Sequence, residues 1–222
     1  MSIKENLHSI HQEIETVCKE WGRDPAGVNL MAVSKMQSAQ SIHEALDAGQ
    51  RLFGENRVQE AQEHWQAIRD SGDYEDLQLH LIGPLQTNKV KDAVALFDVI
   101  QTIDREKLAV KLANEMAEQN RDLPCFIQVN TGLEDQKAGI APQAVSEFYD
   151  MCKYECGLDI AGLMCIPPLD DPPALHFGLL KQLAEDVGLS QLSMGMSGDY
   201  ERAIPLGSTI IRVGTGIFGA RS

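Results

Sequence analysis

Lys35 closes the apolar run Val28-Asn29-Leu30-Met31-Ala32-Val33-Ser34-Lys35. An amine at the end of a buried strand either faces the mouth of a site or reaches along apolar surface into water. In the first case burial disfavours the ammonium form and pushes the pKa below its free value of about 10.4. A neutral amine does carbonyl chemistry, including condensation with an aldehyde to a Schiff base. Two other stretches have the composition of an anion cradle. Met196-Ser197-Gly198-Asp199-Tyr200-Glu201 offers a hydroxyl and open backbone N–H groups where a strand turns into a helix. Val213-Gly214-Thr215-Gly216 carries glycines, which let backbone approach an oxygen closely. Either stretch could equally be a tight connection. Arg212 alternates with Ile211 and Val213 and shares a face with Ile210 and Gly214. If Gly214 approaches a ligand, Arg212 points inward as well. There it can hydrogen-bond a pyridine nitrogen and keep it unprotonated, or be ion-paired across the interior.

Other polar residues have plainer readings. His80 is expected to be packed and hydrogen-bonded rather than catalytic, and Lys89 and Lys91 to lie on a solvated helix face. Lys137, in Glu134-Asp135-Gln136-Lys137-Ala138-Gly139, could bring a second amine towards the same mouth.

A framework must bring these groups together. Eight short apolar segments read as strands: 28–35, 52–56, 77–83, 98–103, 125–130, 159–166, 191–197 and 209–214. Helical segments lie between them. Residues 38–49 start at a possible Ser38 cap and stop at Gly49, and residues 57–70 end before Ser71-Gly72. Residues 105–119 follow Asp104, a good N-cap, while 142–154 and 172–187 open with prolines. Ahead of the first strand, residues 2–22 put Leu7, Ile10, Ile14 and Val17 on one helix face. Trp21 and Trp65 are expected to pack helices onto the sheet. Eightfold alternation gives a closed barrel or an open doubly wound sheet. Eight is the closing number, 222 residues is the right length, and no G-x-G-x-x-G follows the first strand. The expected fold is therefore α/β: a single (β/α)8 TIM barrel over residues 1–222 with an extra N-terminal helix. The C-terminal strand ends of such a barrel form the active face, with phosphate sites frequent after strands seven and eight. Lys35, Asn56, Asn130 and Ser197 end strands there, and Arg212 precedes Gly214.

Composition narrows the partners. Apolar residues make up 43% of the chain and charged residues 23%, which is ordinary for a globular protein. The 33 acidic and 19 basic residues leave a net charge of −14, which repels nucleic acid and anionic lipid. Any phosphate site must then rest on local N–H groups and a local cation. No run of about 20 apolar residues and no signal core are present, so neither membrane nor export is expected and the cytoplasm is the default. The five cysteines are scattered without C-x-x-C spacing, so no metal site is expected.

With these residues placed, the chain resembles the pyridoxal phosphate homeostasis protein family. The resemblance is carried by Ala32-Val33-Ser34-Lys35, Phe53-Gly54-Glu55-Asn56-Arg57, His80-Leu81-Ile82-Gly83-Pro84-Leu85-Gln86-Thr87-Asn88-Lys89, Gly162-Leu163-Met164, Leu192-Ser193-Met194-Gly195-Met196-Ser197, and the stretch from Gly207 to Arg221. It implies a barrel like the N-terminal domain of alanine racemase, with pyridoxal 5'-phosphate held as a Schiff base on Lys35. It implies Asn56 by the ring, Arg212 at the pyridine nitrogen, and Ser197, Gly198, Gly214 and Thr215 at the phosphate, with Met196 on the same turn. The loop Val129 to Lys137 departs from the serine-containing form common in the family.

Two activities fit such a site: a carrier that buffers the coenzyme without turnover, and a small racemase-like enzyme. A third possibility is a barrel phosphate binder without a Schiff base. Racemisation needs acid/base groups on both faces of the substrate α-carbon. The barrel racemases take the second from a tyrosine in a separate C-terminal domain, which is expected to be missing here, and of the tyrosines only Tyr200 falls near the active face. The carrier reading is therefore favoured, with no catalytic residues, a monomer, and at most transient contact with apo-enzymes that use the coenzyme.

Overall fold

Short apolar strands separated by helix-length segments pair in parallel, because each crossover needs a dozen residues or more. The structure, a computed structural model, describes residues 1–219. Strands β1 (Asn29–Val33), β2 (Leu52–Glu55), β3 (Gln78–Leu81), β4 (Val99–Ile103), β5 (Cys125–Val129), β6 (Ile160–Cys165), β7 (Gln191–Met196) and β8 (Ile210–Val213) pair in chain order. β8 returns to β1 with Asn29 opposite Ile210 and Met31 opposite Arg212, which closes the barrel. The expected (β/α)8 fold is the observed one. Each strand lies inside its predicted segment and is shorter by one to three residues at its ends.

The outer ring comprises α1 (Ile3–Glu20), α2 (Ala39–Asp47), α3 (Val58–Ser71), α4 (Val90–Leu96), α5 (Glu106–Gln119), α6 (Val145–Asp150), α7 (Pro173–Asp186), α8 (Tyr200–Ala203) and α9 (Thr215–Phe218). A capping box starts α1: Glu5 N donates to Ser2 Oγ and Ser2 N to Glu5 Oε2. Its buried face, Leu7, Ile10, Ile14 and Cys18, packs among α2, α8 and α9. The extra helix thus fills the part of the ring that the four-residue α9 leaves short, and Asn6 Nδ2 donates to Ile217 O at 2.8 Å to fasten the two. Among the described residues no helix is long and apolar enough to cross a membrane.

Alternation along the strands makes two cores. Met31, Val33, Ile82, Val99, Phe126, Met164 and Ile210 form the barrel interior. Leu30, Phe53, Leu79, Ile211, Val213 and the helix faces form the larger layer outside it. The five cysteines are all free thiols, and four of them are buried.

Several expectations need correcting. Ser38 and Gly49 bound α2 as anticipated, with Gly49 at φ 95°. Asp104 does not cap α5. Arg105 occupies the N-cap without a side-chain bond, and Asp104 instead ion-pairs with Arg105 at 2.5 Å. Residues 142–154 are not one α-helix: Pro142–Ala144 is a 3-10 turn, and α6 runs on as a π-helical stretch over Met151–Glu155. Trp21 is 65% exposed, because α1 stops at Glu20 and Gly22 turns the chain away at φ 65°. Trp65 is fully buried, as expected, against Phe53 with ring centroids 4.7 Å apart. Of the stretch that carries the family resemblance, Ala220 and Arg221 lie outside the described residues.

Candidate functional site

A pocket of ≈ 290 Å³ opens at the C-terminal end of the barrel, lined by Val33, Lys35, Asn56, Ile82, Ile166, Met196, Ser197, Gly198, Arg212, Gly214 and Thr215. All eight residues named from sequence fall in this lining. The apolar walls Val33, Ile82 and Ile166 were not anticipated; they are the last inward-facing residues of their strands or lie just beyond them. A larger hollow of ≈ 760 Å³ lies between outer elements around Thr87, Glu106 and Lys111 and gathers none of the eight.

The lysine does not end the strand itself. β1 stops at Val33, and half-buried Lys35 sits in the turn that follows, where Met36 takes φ 59°. Both flanking residues fasten this turn to the β2–α3 unit. Ser34 Oγ donates to Glu55 Oε1 at 2.7 Å, and Met36 N donates to Glu60 Oε1. Glu55 is fully buried and also accepts from Trp65 Nε1 at 3.0 Å and His64 Nδ1 at 3.2 Å. Burial pushes the Glu55 carboxyl above its usual range against these donors. The sequence reading gave no role to Glu55, although a carboxylate inside the run Phe53-Gly54-Glu55-Asn56 was the signal.

Asn56 leaves β2 beside Gly83, where any Cβ would stand 2.1 Å from Asn56 O, so glycine lets the two backbones meet. After β7, Met196 N donates to Asp199 Oδ1 at 2.6 Å and Asp199 N to Met196 O at 3.0 Å, a closed turn that presents Ser197. Ser197 Oγ then accepts from Gly214 N at 3.3 Å and Gly216 N at 3.4 Å, which ties the two cradle stretches together.

Arg212 points inward, as alternation required, and is 4% exposed. Nη1 donates to Ser193 Oγ and Nη2 to Cys165 O, both at 2.7 Å. No carboxylate among the described residues ion-pairs with it, so the alternative of a salt bridge across the interior does not hold. Burial lowers its pKa, opposed by Cys165 and Asp199.

Other candidates lie elsewhere. Lys137 is ion-paired with Glu134 at 2.6 Å and donates to Pro167 O at 3.0 Å, outside the pocket lining. Asn130 Nδ2 caps the same loop by donating to Glu134 O at 2.8 Å. Tyr200 is buried and turned away, its hydroxyl donating to Glu13 of α1. Burial and that carboxylate raise the phenol's pKa further. Lys89 reaches Asp92 at 4.0 Å and Lys91 is exposed, near their expected places.

His80 lies in the barrel interior with Gln101 Nε2 donating to its Nδ1 at 2.8 Å. Burial pulls its pKa from 6.5 down to about 3. The unfolded chain therefore takes up a proton that the folded chain refuses between those values. The contribution is full above the unfolded pKa and is lost as pH falls, at up to ~1.4 kcal/mol per pH unit. Glu55 acts in the opposite sense, since its raised pKa favours the fold at acid pH. The expected result is that urea midpoints of His80→Gln fall less steeply on acidification from about pH 6.5 than those of the parent chain. Equal slopes would show that His80 does not titrate on unfolding.

Comparison with known proteins adds the following. The alanine racemase N-terminal domain family matches residues 6–222. The pyridoxal phosphate homeostasis protein of Vibrio cholerae is 40% identical over 228 residues, covering 99% of this chain and 97% of that one. PipY of Synechococcus elongatus, solved without PLP, superposes with a TM-score of 0.87 at 36% identity, covering 98% of this chain and 100% of its own, and its form with PLP bound superposes at 0.82. An alanine racemase of Clostridium difficile shares the fold alone, at a TM-score of 0.74 and 14% identity, with this chain covering 57% of it.

Proposed function

The chain belongs to the alanine racemase N-terminal domain family and, within it, to the pyridoxal phosphate homeostasis proteins, and we propose that it binds pyridoxal 5'-phosphate as a Schiff base at Lys35, holding and releasing it without turnover. One observation carries this reading: a single pocket combines an amine, an inward guanidinium with no carboxylate partner among the described residues, and a hydroxyl–amide cradle. That donor set fits the coenzyme. Its volume is at the small end of ligand clefts.

Each residue has a part in this proposal. Lys35 Nζ forms a C–N bond to the aldehyde carbon, and the carbonyl oxygen leaves as water with the two amine protons; release is the reverse. Arg212 carries only donors, so it meets a ring nitrogen through that atom's lone pair and keeps it unprotonated. Ser197, Gly198, Gly214 and Thr215 take the phosphate, a local cradle in a chain whose net charge of −14 would otherwise repel it. Asn56 stands by the ring, and Met196 and the apolar walls enclose it. When bound, the coenzyme supplies an aldehyde and an electron-withdrawing ring.

Holding rather than transforming is supported by the acid/base inventory. Among the described pocket-lining residues the ionisable side chains are Lys35 and Arg212. A guanidinium does not exchange protons near neutrality, and the nearest tyrosine, Tyr200, is committed to Glu13. A substrate α-carbon would meet one proton-exchanging group, not two.

Borohydride reduction of the loaded protein followed by peptide mapping is expected to fix the coenzyme on Lys35. A label solely on Lys137, or none, would overturn the site. Racemisation of alanine or serine by the pure protein, lost in Lys35→Ala, would overturn holding without turnover.

A further inference from the structure

A line of hydrogen bonds runs from Arg212 across the barrel interior. Arg212 Nη1 donates to Ser193 Oγ at 2.7 Å, Ser193 Oγ donates to Gln101 Oε1 at 2.6 Å, and Gln101 Nε2 meets His80 Nδ1 at 2.8 Å. The residues come from β8, β7, β4 and β3, so the line crosses between opposite walls. Ser193 and Gln101 are fully buried, and Arg212 and His80 are each 4% exposed.

Its direction follows from the orientation of the Gln101 amide. A guanidinium has only donors, so Ser193 Oγ accepts from it, and with Gln101 Oε1 facing the hydroxyl the one hydrogen of Ser193 goes to that oxygen. The same orientation turns the Gln101 NH₂ towards His80, whose Nδ1 then accepts. The imidazole is left neutral with its proton on Nε2. Nε2 is buried with no partner among the described residues, and His80 lines a second hollow at the N-terminal end of the barrel together with Asn29, Gln78 and Gln191.

Every dipole in this line has its negative end towards the guanidinium. A carboxylate would neutralise Arg212, whereas oriented neutral groups hold the cation in low dielectric and leave its charge for the pocket. We infer that Ser193, Gln101 and His80 are positioning residues, a one-way relay that holds the Arg212 guanidinium in one orientation towards the ring nitrogen of the coenzyme. This role rests on the reading that Arg212 serves that ring.

Nitrogen-15 NMR of His80 in the protein without coenzyme tests the direction itself. Protonated Nε2 and accepting Nδ1 are expected at neutral pH; the opposite tautomer or an imidazolium overturns the relay. Coenzyme titration tests its purpose. Ser193→Ala and Gln101→Met are each expected to weaken binding about tenfold and shift the visible band, with Ser193→Thr close to the parent. Binding and spectra unchanged in both variants, with the reduced label on Lys35, would also overturn it. If the parent chain carries no label on Lys35, the coenzyme site falls instead, and the tautomer still decides the direction of the relay. The NMR measurement needs no variant, so a variant that fails to fold leaves the inference open to refutation.

Discussion

Lys35→Ala is expected to abolish the visible absorption of the loaded protein and its borohydride-stable label, and to weaken retention of the coenzyme at least about a hundredfold on gel filtration. The magnitude follows from losing a covalent link together with an amine in a pocket whose other cation is Arg212. Lys35→Arg separates the two parts. It keeps a positive charge but cannot condense with an aldehyde, so it is expected to retain some coenzyme without the label. A spectrum unchanged in Lys35→Ala would remove this lysine from the site. The fold should survive, because β1 ends before Lys35 and the turn is anchored on either side of it through Ser34 Oγ and Met36 N.

The largest effect on stability is expected at Trp65. Its side chain is fully buried against Phe53, and its Nε1 donates to Glu55 Oε1. Trp65→Ala should cost about 3–5 kcal/mol for the cavity alone. That is a large part of the roughly 5–15 kcal/mol that keeps a domain folded. Trp65→Phe refills most of the volume but removes the N–H, at a cost of about 1–3 kcal/mol for the buried carboxyl left short of a donor. Urea unfolding of both variants checks the order. A Phe variant as damaged as Ala would place the energy in the hydrogen bond rather than in packing. Glu55 also receives Ser34 Oγ, so the Phe variant should weaken coenzyme binding as well.

The barrel was legible because each strand is a short apolar run bounded by polar residues, and periodicity survives any error at the ends. Eight of the eleven lining residues were legible for a related reason. Strand order places consecutive strand ends on one rim, and alternation put Arg212 on the face of Gly214, inward if that glycine approaches a ligand. What the sequence hid depends on contacts between distant segments. Gln101 and Ser193 are 92 residues apart. Each is a buried polar residue in a mostly apolar strand, which marks it as unusual but does not say that they touch. Tyr200 fell at the correct end of the barrel, yet its direction was set by Glu13, on a helix 187 residues earlier. Asp104 had the composition of a cap, but Arg105 offered it a full charge nearby. The π-helical stretch at Met151–Glu155 shifts the hydrogen-bond register by one residue, which hydrophobic spacing over five residues does not register.

Ser197 Oγ accepts from the amides of both Gly214 and Gly216. On the proposed function, a phosphate oxygen that reaches the Gly214 amide exchanges one acceptor for another rather than capturing a bare donor. Part of each new hydrogen bond replaces an existing one, so the free energy of filling is smaller than the contact list suggests, and emptying leaves no orphaned N–H behind. Such a site has a dissociation constant held up from the tightest limit, and it resists changes in free ligand concentration best when half full. If the protein holds the coenzyme as proposed, the serine sets the concentration at which it is an effective reservoir: Ser197→Ala is expected to bare the two amides and move the midpoint of filling, which coenzyme titration reads directly.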